Sequence, residues 1–324
     1  MPHVPPMESV RSRPKSHLPG LRPTLLSGTG LAAARLACRS RDEWIAARHF
    51  AGELVLRFIA EQSEAELGGR FSVLRLQRRD HVRLGELLAR LSSTAPAAER
   101  RALLDIYRLV FPHAFAEESV LWPVVRSVVP DGEQLTLKVE REHQQINELV
   151  MLLDTLKPDH PDRQQVLDEV VALLGQDVRD EETELLPALQ AKLTPKRLRS
   201  LGIAWEAVRR TAPTRPHPFV SRRPPGNVLA ALPLTLLDRC RDTIDARRFD
   251  SHGVSTPMLS ALSTGLTRLS HRVEQLPGLG LGEDLSTQRK RHTTTKGLAL
   301  LGGIAVLTAF MMINAARSRK EQPA

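Results

Sequence analysis

Between residues 72 and 192 apolar positions recur every three to four residues, in four stretches at about 72–92, 98–128, 132–156 and 162–192. A period near 3.6 residues puts one stripe of a helix against a core and leaves the opposite face to water. The breaks between stretches, "SSTAP", "VVPDG" and "KPDHPD", are short and rich in residues that end helices. Four long amphipathic helices joined by short loops bury their stripes against one another, which predicts an all-α chain built on an up-down-up-down four-helix bundle.

Helical periodicity also flanks this block. In "DEWIAARHFAGELVLRFIAEQ", 42–62, Trp44, Ile45, Phe50, Leu54, Val55 and Ile59 fall near one side, predicting an accessory helix within 41–71. A short helix is expected at 193–210. After it come a linker with five prolines at 211–227 and a helical juxtamembrane region at 228–296. Residues 1–40, rich in Pro, Arg and Ser, predict a disordered lead. Their "LLSGTGLAAARLAC" superficially resembles an export signal, but Arg35 interrupts the apolar run. The stretch "GLALLGGIAVLTAFMMINAA", 297–316, holds 20 residues without a charge. At about 1.5 Å per residue it reaches roughly 30 Å, the thickness of a bilayer core. Arg289, Lys290, Arg291 and Lys296 precede it, and Arg317, Arg319 and Lys320 in the basic tail 317–324 follow. The expectation is a single-pass C-terminal transmembrane helix, with the membrane as a partner and residues 1–296 on the cytoplasmic side.

Composition narrows the function classes. Aromatic residues are 4% of the chain, so the core rests on Leu, Val and Ala. Cys38 and Cys240 belong to no C-x-x-C, which removes disulfide frameworks and zinc-thiolate sites. The net charge of +9 suggests nucleic acid only until its distribution is considered. Residues 72–192 carry 15 Lys+Arg against 21 Asp+Glu, a net of −6, leaving about +15 for the rest. Nucleic-acid binding wants basic residues clustered on a folded face, so no nucleic-acid partner is expected.

The chain repeats itself within the bundle. "HAFAEESVLWP", 113–123, lies over "DVRDEETELLP", 177–187, at an offset of 64, and "DHVRLGELL", 80–88, over "EHQQINELV", 142–150, at an offset of 62. Each helical hairpin therefore carries a histidine on its first helix and an x-x-x-x-Glu pair on its second. His113 with Glu117, and Asp177 with Glu181, stand at i and i+4 on one face. His81 shares the apolar stripe of Leu84 and Leu88, and His143 that of Ile146 and Val150. A lone histidine on an apolar face is most often a satisfied core residue, and an isolated His-x-x-x-Glu is common on helix surfaces. Four such features at repeated offsets, all on the inner side, favour a metal site. Burying them uncompensated costs several kcal/mol per charged group. Imidazole and carboxylate donors without thiolate suit iron or manganese. Glu118 and Glu182, about 100° off the ligand face, are expected to be solvated or to support the ligands from behind. His3, His17, His49, His160, His217, His252, His271 and His292 join no pattern.

Residues 72–192 resemble a hemerythrin HHE cation-binding domain, on the strength of "DHVRLGELL", "HAFAEESVLWP", "EHQQINELV" and "DEETELLP" in that order. The Pro-rich segment and the helix after it are similar to regions that follow this domain in actinobacterial members. The resemblance implies a non-heme di-iron centre held by His81, His113, Glu117, His143 and Glu181, with Glu117 and Glu181 as bridges. It implies a small gaseous ligand, O2 or NO. The departure is Asp177, where the family has histidine, so the centre holds two metals or only one according to whether this shorter anion ligates. Three functions follow: a di-iron protein binding or sensing O2 or NO or handling iron; an enzyme reducing peroxide or NO, or repairing iron centres; and a helical scaffold with a decayed site. The enzymatic role is the less favoured, since Tyr107, nearly opposite His113 on its helix, is expected to pack rather than react.

Overall fold

The computed structural model describes residues 59–250 and 256–289. The expected lead, most of the accessory helix, the segment 297–316 and the basic tail lie outside the described residues. A 3-10 turn, Ile59–Glu61, comes first, and Ile59 is buried.

The first long helix, α1, is Val73–Ser92. The second begins at Pro96, whose missing N–H costs nothing at a helix start, and runs as α2, Pro96–Ala116. It passes through a π-helical turn, Glu117–Leu121, into α3, Trp122–Val128. The third is α4, Gly132–Thr155. The fourth repeats the construction of the second: α5, Arg163–Asp180, a π-helical turn, Glu181–Leu185, and α6, Leu186–Gln190. Next comes α7, Pro195–Thr211, capped by Thr194, whose hydroxyl accepts from the Arg197 N–H at 3.3 Å. Two further helices, α8, Gly226–Asp250, and α9, Thr256–Glu274, pack on each other around Ala230, Leu234, Leu237, Val273 and Leu276.

The bundle core is not one apolar mass. One cluster holds Leu76, Ala116, Val139 and Leu185, together with Trp122 and Trp205. A second holds Leu84, Phe111, Ile146 and Leu174. On every one of the four helices the change from one cluster to the other falls where the sequence put a His or Glu, so a polar layer is sealed between two apolar ones. α7 lies close over the start of α1. A Cβ at Gly202 would stand 2.0 Å from the Phe71 carbonyl oxygen, so this packing tolerates no side chain there.

Two expectations are corrected. No described helix is long and apolar enough to cross a membrane. The described helices carry charge along their length: α8, for example, holds Asp238, Arg239, Arg241, Asp242 and Asp245. Among the described residues the fold is all-helical without a membrane-spanning helix, which stands against the expected transmembrane helix and single-pass localisation; the segment 297–316 itself lies outside those residues. Residues 211–227 are not a free linker either: Ala212, Thr214, Arg215, His217, Val220, Ser221 and Arg222 are all buried.

Candidate metal centre

The two π-helical turns start at Glu117 and Glu181, the same register in both repeats. Pro123 and Pro187 follow six residues later. Each lacks the N–H that would bond the carbonyl four residues back, and its ring crowds that carbonyl, so the ladder widens. The widened turn lets consecutive glutamates face inward: Glu117 and Glu118 are both buried.

The six residues singled out in the sequence come together. His81, His113, Glu117 and Glu181 offer donor atoms within 4.8 Å of one another, and His143, Asp177 and Glu181 form a second such group. His81 Nε2 is 3.2 Å from Glu181 Oε2, and His113 Nε2 is 3.1 Å from Glu117 Oε1. His143 Nε2 lies 3.4 Å from Asp177 Oδ1, 3.7 Å from Glu117 Oε2 and 3.8 Å from Glu181 Oε1. The two groups share Glu181, and Glu117 stands between His113 and His143. The halves are unequal, with two imidazoles in one and one in the other.

The backs of the rings are held by carboxylates. His81 Nδ1 is 2.8 Å from Glu182 Oε1, His143 Nδ1 is 3.0 Å from Glu118 Oε1, and His113 Nδ1 is 3.4 Å from Asp80 Oδ2. The first two cross between hairpins, each repeat orienting the other's histidine. An imidazole whose Nδ1–H is taken by a carboxylate points its Nε2 lone pair forward, as metal-ligating histidines do. The forward atoms face only one another. His81 Nε2, His143 Nε2, both Glu117 oxygens, Asp177 Oδ1 and Glu181 Oε1 are buried without a hydrogen-bond partner among the described residues. Orphaned atoms of this kind are costly unless something satisfies them, and a nitrogen-and-oxygen donor set without sulfur fits a metal pair.

Without metal the cluster balances its charge with protons. Burial alone would lower the His81 value, but Glu181 and Glu182 override it and hold the ring up at about 10. His113 is likewise raised to about 9, burial being outweighed by Glu117 and Asp80, and His143 is raised well above its ordinary value by Asp177 and Glu118. Glu181, buried beside Glu117 and Asp177, is pushed up to about 8.

A small cavity of about 20 Å³ reaches the cluster. Leu84, Leu109, Val110, Leu174 and Val178 line it on the apolar side, and His81, His113 and Asp177 on the polar side. Tyr107 is not at the centre: it is buried against Phe111 with its hydroxyl 3.4 Å from Asp154 Oδ1. His217 bonds Asp238 and Glu274, each at 3.0 Å, in a network of its own. Sequence reading missed Asp80 and Glu142, although a carboxylate directly precedes the inward histidine in both repeats. It also missed Trp205, which packs edge-on against His113 at 5.2 Å, and Arg209, 3.5 Å from Asp80, because both come from outside the repeat.

Residues 72–189 match the family model described as the hemerythrin HHE cation binding domain. An uncharacterized hemerythrin-like protein of Schizosaccharomyces pombe is 25% identical over 134 residues, 41% of this chain and 66% of that protein. A DNA nickase of Nostoc is 26% identical over 133 residues, 41% of this chain and 37% of the nickase. No solved structure matches the chain. The matched segment and the buried His/Glu cluster fit a metal-binding, hemerythrin-like protein.

Proposed function

We propose that the bundle holds a pair of non-heme iron ions and presents them to a small gaseous ligand, O2 or NO, as a carrier or sensor. The observation that carries this reading is the set of forward-facing His, Glu and Asp atoms, buried and unpartnered, whose rings are fixed from behind by Glu182, Glu118 and Asp80. His81, His113, Glu117 and Glu181 would hold one ion; His143, Asp177 and Glu181 the other, with Glu117 reaching both. When bound, such a pair supplies redox-active positions that a diatomic can occupy. The protein's share is to keep those positions dry and to admit only something small, which the apolar side of the cavity does through Leu84, Val110 and Leu174. Imidazole and carboxylate donors without thiolate suit iron or manganese. The nicking activity named for the Nostoc relative is not carried over, because the shared 133 residues are 37% of that protein.

The test is anaerobic loading of the full chain with ferrous iron, followed by metal analysis and near-ultraviolet absorption on adding O2 or NO. Two irons per chain and a new absorption band on exposure are expected. Less than one iron per chain after iron-replete expression sinks the reading. Steady consumption of peroxide or NO by the loaded chain moves it from carrier or sensor to enzyme.

A further inference from the structure

The carboxylates behind the three imidazoles differ in what stands behind them. Glu182, holding His81, is partly open to solvent, with its side chain 16% exposed. Glu118, holding His143, is sealed at 1% and meets Arg222 Nη1 at 3.7 Å. Arg222 comes from beyond the matched domain and is itself buried. Its Nη2 donates to the carbonyls of His217 at 2.9 Å and Val220 at 3.0 Å, so the guanidinium is aimed by its own segment. That segment is fixed on α4, the helix bearing His143. The His217 backbone N–H donates to Asn147 Oδ1 at 2.8 Å, and Gln144 Nε2 donates to the Pro218 carbonyl at 2.9 Å.

Charge gives this relay a purpose. Around the His143 ring stand Asp177, Glu117 and Glu181, whereas the other half of the centre has a second imidazole in the place of Asp177. Glu118 adds a fourth carboxylate, 3.0 Å from the same ring on its far side. In a sealed, low-dielectric layer each uncompensated charge acts strongly on its neighbours. The neighbouring Arg223 serves a different end: it pairs with Glu140 at 2.7 Å and Glu133 at 2.8 Å, tying the segment to α4 away from the rings.

We propose that Arg222 is a positioning residue for the metal centre, holding Glu118 on His143 and offsetting the excess negative charge that Asp177 brings to that half. It rests on the reading of the bundle as an iron-binding centre. Arg222 touches no forward-facing donor; it acts through Glu118 on the ring that does.

The experiment loads the full chain with ferrous iron and compares wild type with R222Q, R222K and R223Q, reading iron stoichiometry and the midpoint potential of the bound iron. Removing a buried positive charge favours the oxidised metal. R222Q is expected to shift the oxidised-to-reduced ratio at least about tenfold, which for a one-electron couple is a fall of about 59 mV. R222K retains most of the wild-type potential, and R223Q, which loosens the same segment, moves it much less. If R222Q does not fold, E118Q carries the test: it removes a negative charge and is expected to raise the potential. A wild type that binds no iron overturns the metal reading and this inference together. A wild type that binds iron while R222Q leaves the potential unchanged, or while R222Q and R223Q lower it equally, overturns the role of Arg222 alone. In the fallback arm, an E118Q potential that falls or stays put does the same.

Discussion

Asp177→His restores to the second hairpin the ring that His113 supplies in the first, and the structure says what that ring would meet. Asp80, one residue before His81, accepts from His113 Nδ1; burial would raise its carboxyl, but His113, Arg209 and Arg79 hold it down at about 2. Glu142, one residue before His143, is its counterpart in the repeat and faces Asp177 and Asp180 instead. Burial, the hydrogen bond with Asp180 and the charge of Asp177 push it up to about 8. A histidine at 177 gives Glu142 an N–H to accept and removes one carboxylate from around His143. A carboxylate that orients a ligating imidazole changes metal affinity about 10- to 100-fold, or about 1.4–2.7 kcal/mol at 1.36 kcal/mol per decade. The assay is anaerobic titration of the full chain with ferrous iron, or with cobalt(II) followed by its visible absorption. The weaker of two binding steps is expected to strengthen at least about tenfold. The stronger step stays in place, because His81, His113, Glu117 and Glu181 are untouched. Adding E142A to D177H removes the gain. If D177H leaves both steps unchanged or weakens the weaker one, the assignment of Asp177 as the deficient position is wrong.

Other outcomes follow from the same geometry. E181A takes away the donor common to both groups; metal analysis should show both binding steps lost, whereas H81A spares the His143 half. The metal-free chain should lose thermal stability as pH rises from 7 to 10. His81 and His113 titrate at about 10 and 9 when folded against an ordinary 6.5, so their contribution is complete below the ordinary value and gone once pH passes the folded ones. Metal affinity rises over the same window, because binding must displace those protons, and a melting temperature of the metal-free chain that is flat with pH contradicts the protonated cluster. Filling the small cavity with V110F should slow ligand association in stopped-flow mixing without changing iron content, at a packing cost of about 1–3 kcal/mol; an unchanged rate means ligands enter elsewhere. W205A empties a fully buried site against His113. It should cost roughly 3–5 kcal/mol, lowering the melting temperature by roughly 10 °C, and a loss of only a few degrees would show that α7 is a loose cover.

Much of the centre was legible because it is written in local spacing. The 3.6-residue period fixes which face of each helix is inward, and the offsets of 64 and 62 place His81, His113, Glu117, His143, Asp177 and Glu181 on those faces. Within one helix the positions of neighbours are set by geometry alone, so the i,i+4 pairs needed no tertiary information. Glu118 and Glu182 were harder. An ideal helix puts them about 100° away from the ligands, and it takes the π-helical turns before Pro123 and Pro187 to swing them behind the rings of the opposite hairpin.

What joins distant segments was decided only by the fold. The five prolines of 211–227 argue locally for an extended chain, and they cannot say that Arg215, His217 and Arg222 become buried. Their cost is met by partners such as Asp238, Asp242 and Asp245, which come later in the chain. The uncharged run 297–316 invited a membrane reading, since a hydropathy window sees length and apolarity alone; that run lies outside the described residues, among which no helix is long and apolar enough to cross a bilayer. The sequence by itself determined the inward donors, because helical spacing is a property of one segment. Which carboxylate backs which histidine, and which arginine backs the carboxylate, depends on how separate segments pack, and only the tertiary structure decided that.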